Sequence, residues 1–490
     1  MSKEGYFEFV SEDILLEIKL AEYLDRNPIY IGTEEICTNF GISMFTARKI
    51  VRTLELDIND YNTEGYLIDV SPKGVRLQVP MEDDLKVFFI YLMSKSPNIH
   101  VLKSIFSGKF KTVTQYALDN HLSEATVRRS LANVRGILQK LDIEIANRTF
   151  KLKGNEKQIR MTLFVFYWRI NRGMVWPFES VSEKSMEFLV DRLCKSSNIK
   201  NVSLLQRKRL MFFFAITVIR MNSGNYIDME NIPKSTANLD ELRKILASSG
   251  IINVVNKSEL FFVYSMLKGF SLFTDMDDEL FFEIENGYPA GVATEYSLEK
   301  LSEEFPVFFK TNEKKVTEFL YATHTFANEL HNFSTDMNGY IYFRVLDEYF
   351  PEMSEWLVSY FQQAKTDTGI SLFDEGPFLL THYGMLLSHL PNSLSKERCI
   401  NVYLETALPS VLNEMIIKQV DGYFKTRFNL RILIETDKLN KDDIDILLTT
   451  IPLKEFDLMY PNAHIIAINR ELKLIDYEKI ETVLLEVMSK

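Results

Sequence analysis

A helical spacing that occurs twice within the first 150 residues constrains this chain more than any other feature. In residues 111 to 145, KTVTQYALDNHLSEATVRRSLANVRGILQKLDIEI, Ala117 is the small residue at which two helices can cross. Leu122 and Ser123 make the turn, and Val127 and Leu131 anchor the second helix by its inner face. Glu124, Thr126, Arg128 and Arg129 are left outward. His121 holds the turn position where glycine is usual, so a somewhat strained left-handed backbone is expected there. The earlier copy, Thr33 to Leu54, has Cys37 at the crossing and Gly41 in the turn, with Ile36, Phe40, Ile42, Ala47 and Ile50 inward. Its outward set is Met44, Thr46, Arg48, Lys49 and Arg52. Each copy is followed by a hairpin pattern: Tyr66 to Val70, the turn Ser71 to Gly74, and Val75 to Val79; then Ile143 to Ala146, a turn at Asn147-Arg148, and Thr149 to Leu152. Helix-turn-helix plus hairpin is a winged helix. Its second helix suits the major groove of DNA, where arginine is the commonest specific contact to guanine.

Charge separates the two copies. Residues 1 to 100 hold 10 Lys+Arg against 17 Asp+Glu, net -7, whereas residues 101 to 160 hold 12 against 5, net +7. Phosphate neutralisation supplies most non-specific affinity for DNA, so the second copy is expected to be the electrostatic anchor. Its cations are Arg128, Arg129, Arg135 and Lys140, with Arg148, Lys151 and Lys153 on the wing; the acidic first copy would contribute specificity or orientation. The whole net charge of -12 falls after residue 160, because the first 160 residues sum to zero. Cys37, Cys194 and Cys399 lie far apart and suggest neither a disulfide framework nor a CxxC metal site, which points to a reducing compartment. The start carries no basic flank followed by an apolar core. The longest apolar run, Leu210 to Ile219, is bounded by Arg209 and Arg220 and is too short to span a bilayer, so a cytoplasmic protein without membrane contact is expected.

From about 160 to 395 the periodicity is helical and a diverged repeat shows. Phe214-Ala215 and Phe326-Ala327 sit 112 residues apart, and SELFFVYSM (258 to 266) and DEGPFLLTH (374 to 382) sit 116 apart, which points to two similar all-α bundles. The last 95 residues alternate instead: strands at Ile400 to Glu405, Arg431 to Glu435, Ile444 to Thr449 and Ala463 to Ile468, helices at Pro409 to Phe424 and Tyr477 to Met488. That order predicts a small parallel α/β domain. There is no Walker loop, no G-x-S-x-G elbow and no His-Glu-x-x-His helix, and the carboxylate runs Asp275 to Glu279 and Lys441 to Asp443 read as solvated charge. No enzyme activity, cofactor or metal is expected. The phenylalanine runs read as bundle core, with a sugar or phosphosugar pocket left open.

DEGPFLLTH resembles the phosphoacceptor segment of PTS regulation domains (PRDs), in which an acidic pair precedes a helix carrying a histidine, here His382. The order of modules resembles the Mga/AtxA family of Gram-positive global and virulence regulators, and FKLKGNEKQIR, residues 150 to 160, resembles the junction such regulators place after their second winged helix. The resemblance implies a mainly α multidomain fold: winged helices at 1–82 and 83–158, PRD-like bundles at 159–288 and 289–396, and an EIIB-like α/β domain at 397–490. It further implies a transcriptional activator that binds double-stranded DNA, self-associates as a dimer or larger, and answers to carbohydrate status through histidine phosphorylation by phosphotransferase-system phosphocarriers. Of the seven histidines none lies between 122 and 323, and Phe212 and Met266 stand at the matching positions of the first bundle. His324 and His382 of the second are therefore the candidates. His324 with His331, and His382 with His389, are each seven residues apart, about 10 Å along a helix, too far to share one metal within that helix. Four histidines from two helices, or plain core and surface histidines, are the other readings. An active EIIB domain carries a phosphorylated cysteine after its first strand; here that loop reads ETALPS, and Cys399 precedes the strand, so a dimerisation or sensing role is expected. The alternatives are an RNA-binding antiterminator with paired PRDs and a phosphotransfer accessory protein.

Overall fold

Small polar residues stand immediately before the helices that shape the first half of the chain, and their side chains satisfy the first free backbone N–H groups. Thr112 accepts from Gln115 N, Ser123 from Thr126 N and Asn155 from Lys157 N, while Ser203 and Gln206 cap each other reciprocally. The computed structural model describes residues 9–61, 65–80, 85–196, 198–228, 237–250, 256–274, 276–335, 343–388, 397–434 and 440–488. It divides into two compact units, one running to Glu279 and taking in Glu329–Phe333, the other comprising Leu280–Asn328 and most of the chain after Phe333.

The first unit opens with α1 (Glu12–Arg26), α2 (Thr33–Phe40) and α3 (Met44–Tyr61), then the antiparallel hairpin β1 (Leu67–Ser71) and β2 (Gly74–Gln78). Ile31 exchanges both backbone hydrogen bonds with Val75 at 2.9 Å, which ties the hairpin to the chain entering α2. Gly74 lies there at φ +125°, where a Cβ would stand 2.3 Å from the Ile31 carbonyl oxygen. The order repeats in α4 (Lys86–Ser94), α5 (Pro97–Phe106), α6 (Val113–Asp119), α7 (Glu124–Gln139) and the hairpin β3 (Glu144–Ile145) and β4 (Leu152–Lys153). This second hairpin departs from expectation. Ile145 pairs with Leu152, so the turn extends from Ala146 to Lys151 and the anticipated strand at Thr149 to Leu152 starts late. Phe150 causes the shift: at φ 53° it folds onto Phe110, ring centroids 4.8 Å apart, which removes it from the ladder.

Two residues past β4, α8 (Glu156–Asn171) begins and continues into α9 (Glu183–Cys194), α10 (Leu204–Asn222), α11 (Ala237–Ser249) and α12 (Lys257–Gly269). Phe212, Phe213 and Phe214 are all buried in α10, as the apolar run requires. Arg160 of α8, fully buried, reaches Glu259 of α12 with Nη1–Oε2 2.6 Å and Nη2–Oε1 2.8 Å, and donates through Nε to Glu156 at 3.0 Å. Glu156 is held in turn by Arg220 of α10. These contacts tie the second hairpin to the helices that follow it, within the first compact unit.

The second unit contains α14 (Pro289–Glu304), most of α15 (Pro306–Glu329), α16 (Phe343–Tyr349), α17 (Pro351–Thr368) and α18 (Gly376–Leu387), while α13 (Asp277–Glu285) crosses the division. Phe214-Ala215 lies in α10 and Phe326-Ala327 in α15; residues 258–266 lie in α12, and 374–382 run into α18. The terminal domain is a four-stranded parallel sheet in the order β6-β5-β7-β8, with β5 Ile400–Glu405, β6 Leu430–Leu433, β7 Ile446–Thr449 and β8 His464–Ala467. The helices α19 (Ser410–Phe424), the short α20 (Phe456–Met459) and α21 (Leu474–Met488) complete it; Phe424, Ile480 and Leu484 pack on Ile400, Val402 and Ile446 in its core. Each strand falls within two residues of the anticipated one; Glu435 lies outside the described residues.

Candidate nucleic-acid interface

The two helix-turn-helix units are built by the same local contacts. Gly41 (φ 62°) and His121 (φ 54°) both adopt the left-handed conformation, and the residue after each closes the turn, Ile42 N donating to Cys37 O at 3.1 Å and Leu122 N to Ala117 O at 2.9 Å. The strain anticipated at His121 is therefore present. Ser43 and Ser123 then cap the second helices by accepting from Thr46 N (3.2 Å) and Thr126 N (3.0 Å), with the paired hydroxyls 2.9 and 2.8 Å apart. Ala47 and Val127 are wholly buried beneath.

This arrangement sorts the outward residues. Thr46 and Thr126 are half-buried and committed to the caps, so they orient the helices. Arg48, Lys49 and Arg52 on α3 are exposed, Lys49 standing 3.6 Å from Asp13. Met44 is exposed, and beside it Phe45 is 80% exposed, a residue the sequence pattern assigned to neither face. Its signal was its place at the second position of the second helix, where an apolar side chain can meet a thymine methyl. On α7, Arg129 is exposed, while Arg128 donates to Glu124 at 3.0 Å and Glu124 also accepts from Thr114 at 2.6 Å. The Thr114 and Arg128 hydrogen bonds hold the Glu124 carboxyl below its ordinary range. Glu124 thus joins α6 to α7 and steadies Arg128. Arg135 is half-buried with its Nε enclosed. Lys140 ends α7, and Arg148, Lys151 and Lys153 are exposed along the second hairpin.

The sequence model of the Mga helix-turn-helix domain matches residues 82–167, which is the basic module together with the start of α8. Over those residues the chain is similar to the Mga-type regulators. It is 23% identical over 211 residues to the anthrax toxin expression trans-acting positive regulator of Bacillus anthracis, covering 43% of each chain. It is 22% identical over 332 residues to the capsule synthesis positive regulator AcpA of the same organism, covering 65% of this chain and 67% of that one. The first match therefore spans less than half of that relative's length.

The two candidate histidines differ in setting. His324 is completely buried. Its Nδ1 lies 2.8 Å from Thr294 Oγ1, whose own hydroxyl donates to Ala290 O at 2.7 Å, so Nδ1 carries the proton and Nε2 faces the Tyr383 hydroxyl at 2.8 Å. Burial, and then the neighbouring His382, push its pKa down to about 3. His382 is 7% exposed, stacks on Phe378 with centroids 4.1 Å apart, and has Nδ1 2.9 Å from the Phe378 carbonyl oxygen, which assigns the proton to Nδ1 and leaves Nε2 as its basic nitrogen. His331 lies beyond the end of α15, so the expected helical pairing with His324 does not form; His389 lies outside the described residues, as does Asp275. Phe212 and Met266 are buried in the first bundle. After β5, Thr406 Oγ1 accepts from Leu408 N at 3.1 Å, and the exposed Cys399 stands at the opposite end of the strand. Among the described residues no group of three metal-ligating side chains is formed, and no helix is long and apolar enough to cross a membrane.

Proposed function

We propose that this chain is a DNA-binding transcriptional activator whose second winged helix is its main electrostatic anchor. The observation that carries the reading is the exposed cationic face of α7 and the following hairpin, in the module that the family model matches and in the one segment with net charge +7. The relatives are named as positive regulators, in keeping with activation. In this reading Arg128 and Arg129 meet the major groove, Arg148, Lys151 and Lys153 meet phosphates, and the α3 set of Met44, Phe45, Arg48, Lys49 and Arg52 adds base or methyl contacts.

The test is fluorescence anisotropy of the full-length protein with duplex promoter fragments from its own genome, across a salt series. Each phosphate contact contributes about 0.9 to the slope of log affinity against log salt. Because Arg128 is partly neutralised by Glu124, Arg128→Ala/Arg129→Ala is expected to lower the slope by about 0.9 to 1.8. Unchanged affinity and slope in the double variant would remove the assignment, and preference for RNA hairpins would favour the antiterminator reading.

Two finer parts belong to the same proposal. Regulatory phosphate from a phosphotransferase-system carrier is assigned to His382 rather than His324, because His382 keeps 7% exposure whereas His324 is completely buried. Self-association is placed on the terminal domain, where Val411, Leu412, Met415, Ile451, Leu453 and Leu474 are exposed beyond the carboxyl ends of the strands. The anisotropy samples should accordingly sediment as dimers or larger.

A further inference from the structure

A cleft of about 780 Å³ opens within the first unit, between the end of α5, the second hairpin, α8 and the end of α10. Its floor is aromatic: Phe106 lies 5.4 Å from Tyr167, and Tyr167 5.0 Å from Phe178, centroid to centroid. Its lining is cationic, with Lys103, Lys109, Lys151 and Arg220 against Asp119 and Glu179, so four positive charges face two negative ones in a protein of net charge -12. Two of the cations are already matched, Lys109 by Glu179 at 2.7 Å and Arg220 by Glu156 at 2.6 Å. Lys103 and Lys151 have no ion pair or side-chain hydrogen bond among the described residues. Lys103 is half-buried, and burial pushes its ammonium below the ordinary lysine range. A desolvated lysine without a carboxylate is costly unless an anion completes it.

From an aromatic floor beneath two uncompensated lysines, we infer that this cleft is a binding site for a small organic phosphate, a ring-bearing body with a phosphoryl group. The volume lies within the range of small-molecule sites, the rings match a sugar or base face, and the lysines match phosphate oxygens. Lys151 also belongs to the second hairpin, so a bound phosphate would draw that cation away from duplex DNA. The ligand would therefore weaken DNA binding.

Isothermal titration calorimetry of the full-length protein, without DNA, tests the site with glucose 6-phosphate, AMP and inorganic phosphate as probes. Saturable one-to-one binding of at least one organic phosphate is expected, tighter than inorganic phosphate. Lys103→Gln and Lys151→Gln should each weaken it at least about tenfold, the effect of losing one charge-assisted hydrogen bond, with unchanged circular dichroism and melting. In anisotropy the same ligand should lower DNA affinity of the native protein and lose that effect in Lys151→Gln. Absence of binding by both organic phosphates overturns the inference, as does binding indifferent to both substitutions or equal affinity for inorganic phosphate. If the variants weaken only DNA binding, the cleft belongs to the DNA surface. The calorimetry contains no DNA, so failure of this site leaves the DNA reading standing.

Discussion

Arg160 is the residue whose removal the structure converts most directly into a number. Its guanidinium is fully buried and supplies both hydrogen bonds from Arg160 to Glu259, at 2.6 and 2.8 Å, while Glu259 is itself only 1% exposed. In Arg160→Met the chain keeps a side chain of similar length, but Glu259 retains only the Ile227 N–H at 2.7 Å. Breaking a buried pair from one side typically costs about 3–5 kcal/mol, since the remaining charge is left uncompensated in a low-dielectric interior. For a unit of this size about 2–4 °C is lost per kcal/mol, so the transition should fall by roughly 6–20 °C. Arg160→Met/Glu259→Gln removes both charges and should recover at least about 2 kcal/mol relative to additivity. Differential scanning calorimetry of the full chain measures all four corners of the cycle. A single-variant loss below about 1 kcal/mol, or additive losses, would refute the reasoning that desolvated charge holds α8 to α12. Because α8 starts two residues after β4, DNA affinity of Arg160→Met should fall in parallel with the melting.

Two further outcomes are expected. In the first module, burial and the adjacent Asp57 push Glu17 up to about 8. Its unfolded value is about 4.3, so the folded chain holds an extra proton between the two and stability falls as pH rises through that window. Glu17→Gln should flatten the melting temperature between pH 5 and 9 and gain most at the alkaline end; parallel curves would discount Glu17 as the cause. Incubation with a phosphorylated phosphotransferase-system carrier should place acid-labile phosphate on the chain, lost in His382→Ala and kept in His324→Ala, and labelling that survives His382→Ala would exclude the assignment.

Much of the local structure was legible because its determinants are local. Gly41, Ser43 and Ser123 specify turns and caps within four residues, and the Ser71 to Gly74 turn set the first hairpin, since two strands joined by so short a link can pair in few registers. The alternation of apolar strands with amphipathic helices likewise foretold the parallel sheet of the terminal domain. The second hairpin was misread because Phe150 is withdrawn by a ring 40 residues earlier in the chain, Phe110, which no window of alternation contains. Arg135 stands among the cations of the basic copy and is half-buried, whereas Phe45 carried no pattern and is exposed.

By itself, then, the sequence determined the two helix-turn-helix units, the placement of the positive charge on the second, the helical character of the middle and the absence of a cysteine after the first strand of the last domain. Tertiary structure decided which of those charges remain available. Arg128 is steadied by Glu124, and Lys151 is shared between the hairpin and the cleft. It also decided that Arg160, an ordinary arginine in a basic stretch, is neutralised in the core, and that His324 and His382, alike in type, differ in burial and in the partners of their ring nitrogens. The physical reason is that residue type and periodicity fix what a segment prefers, whereas desolvation and pairing depend on atoms brought together from distant parts of the chain.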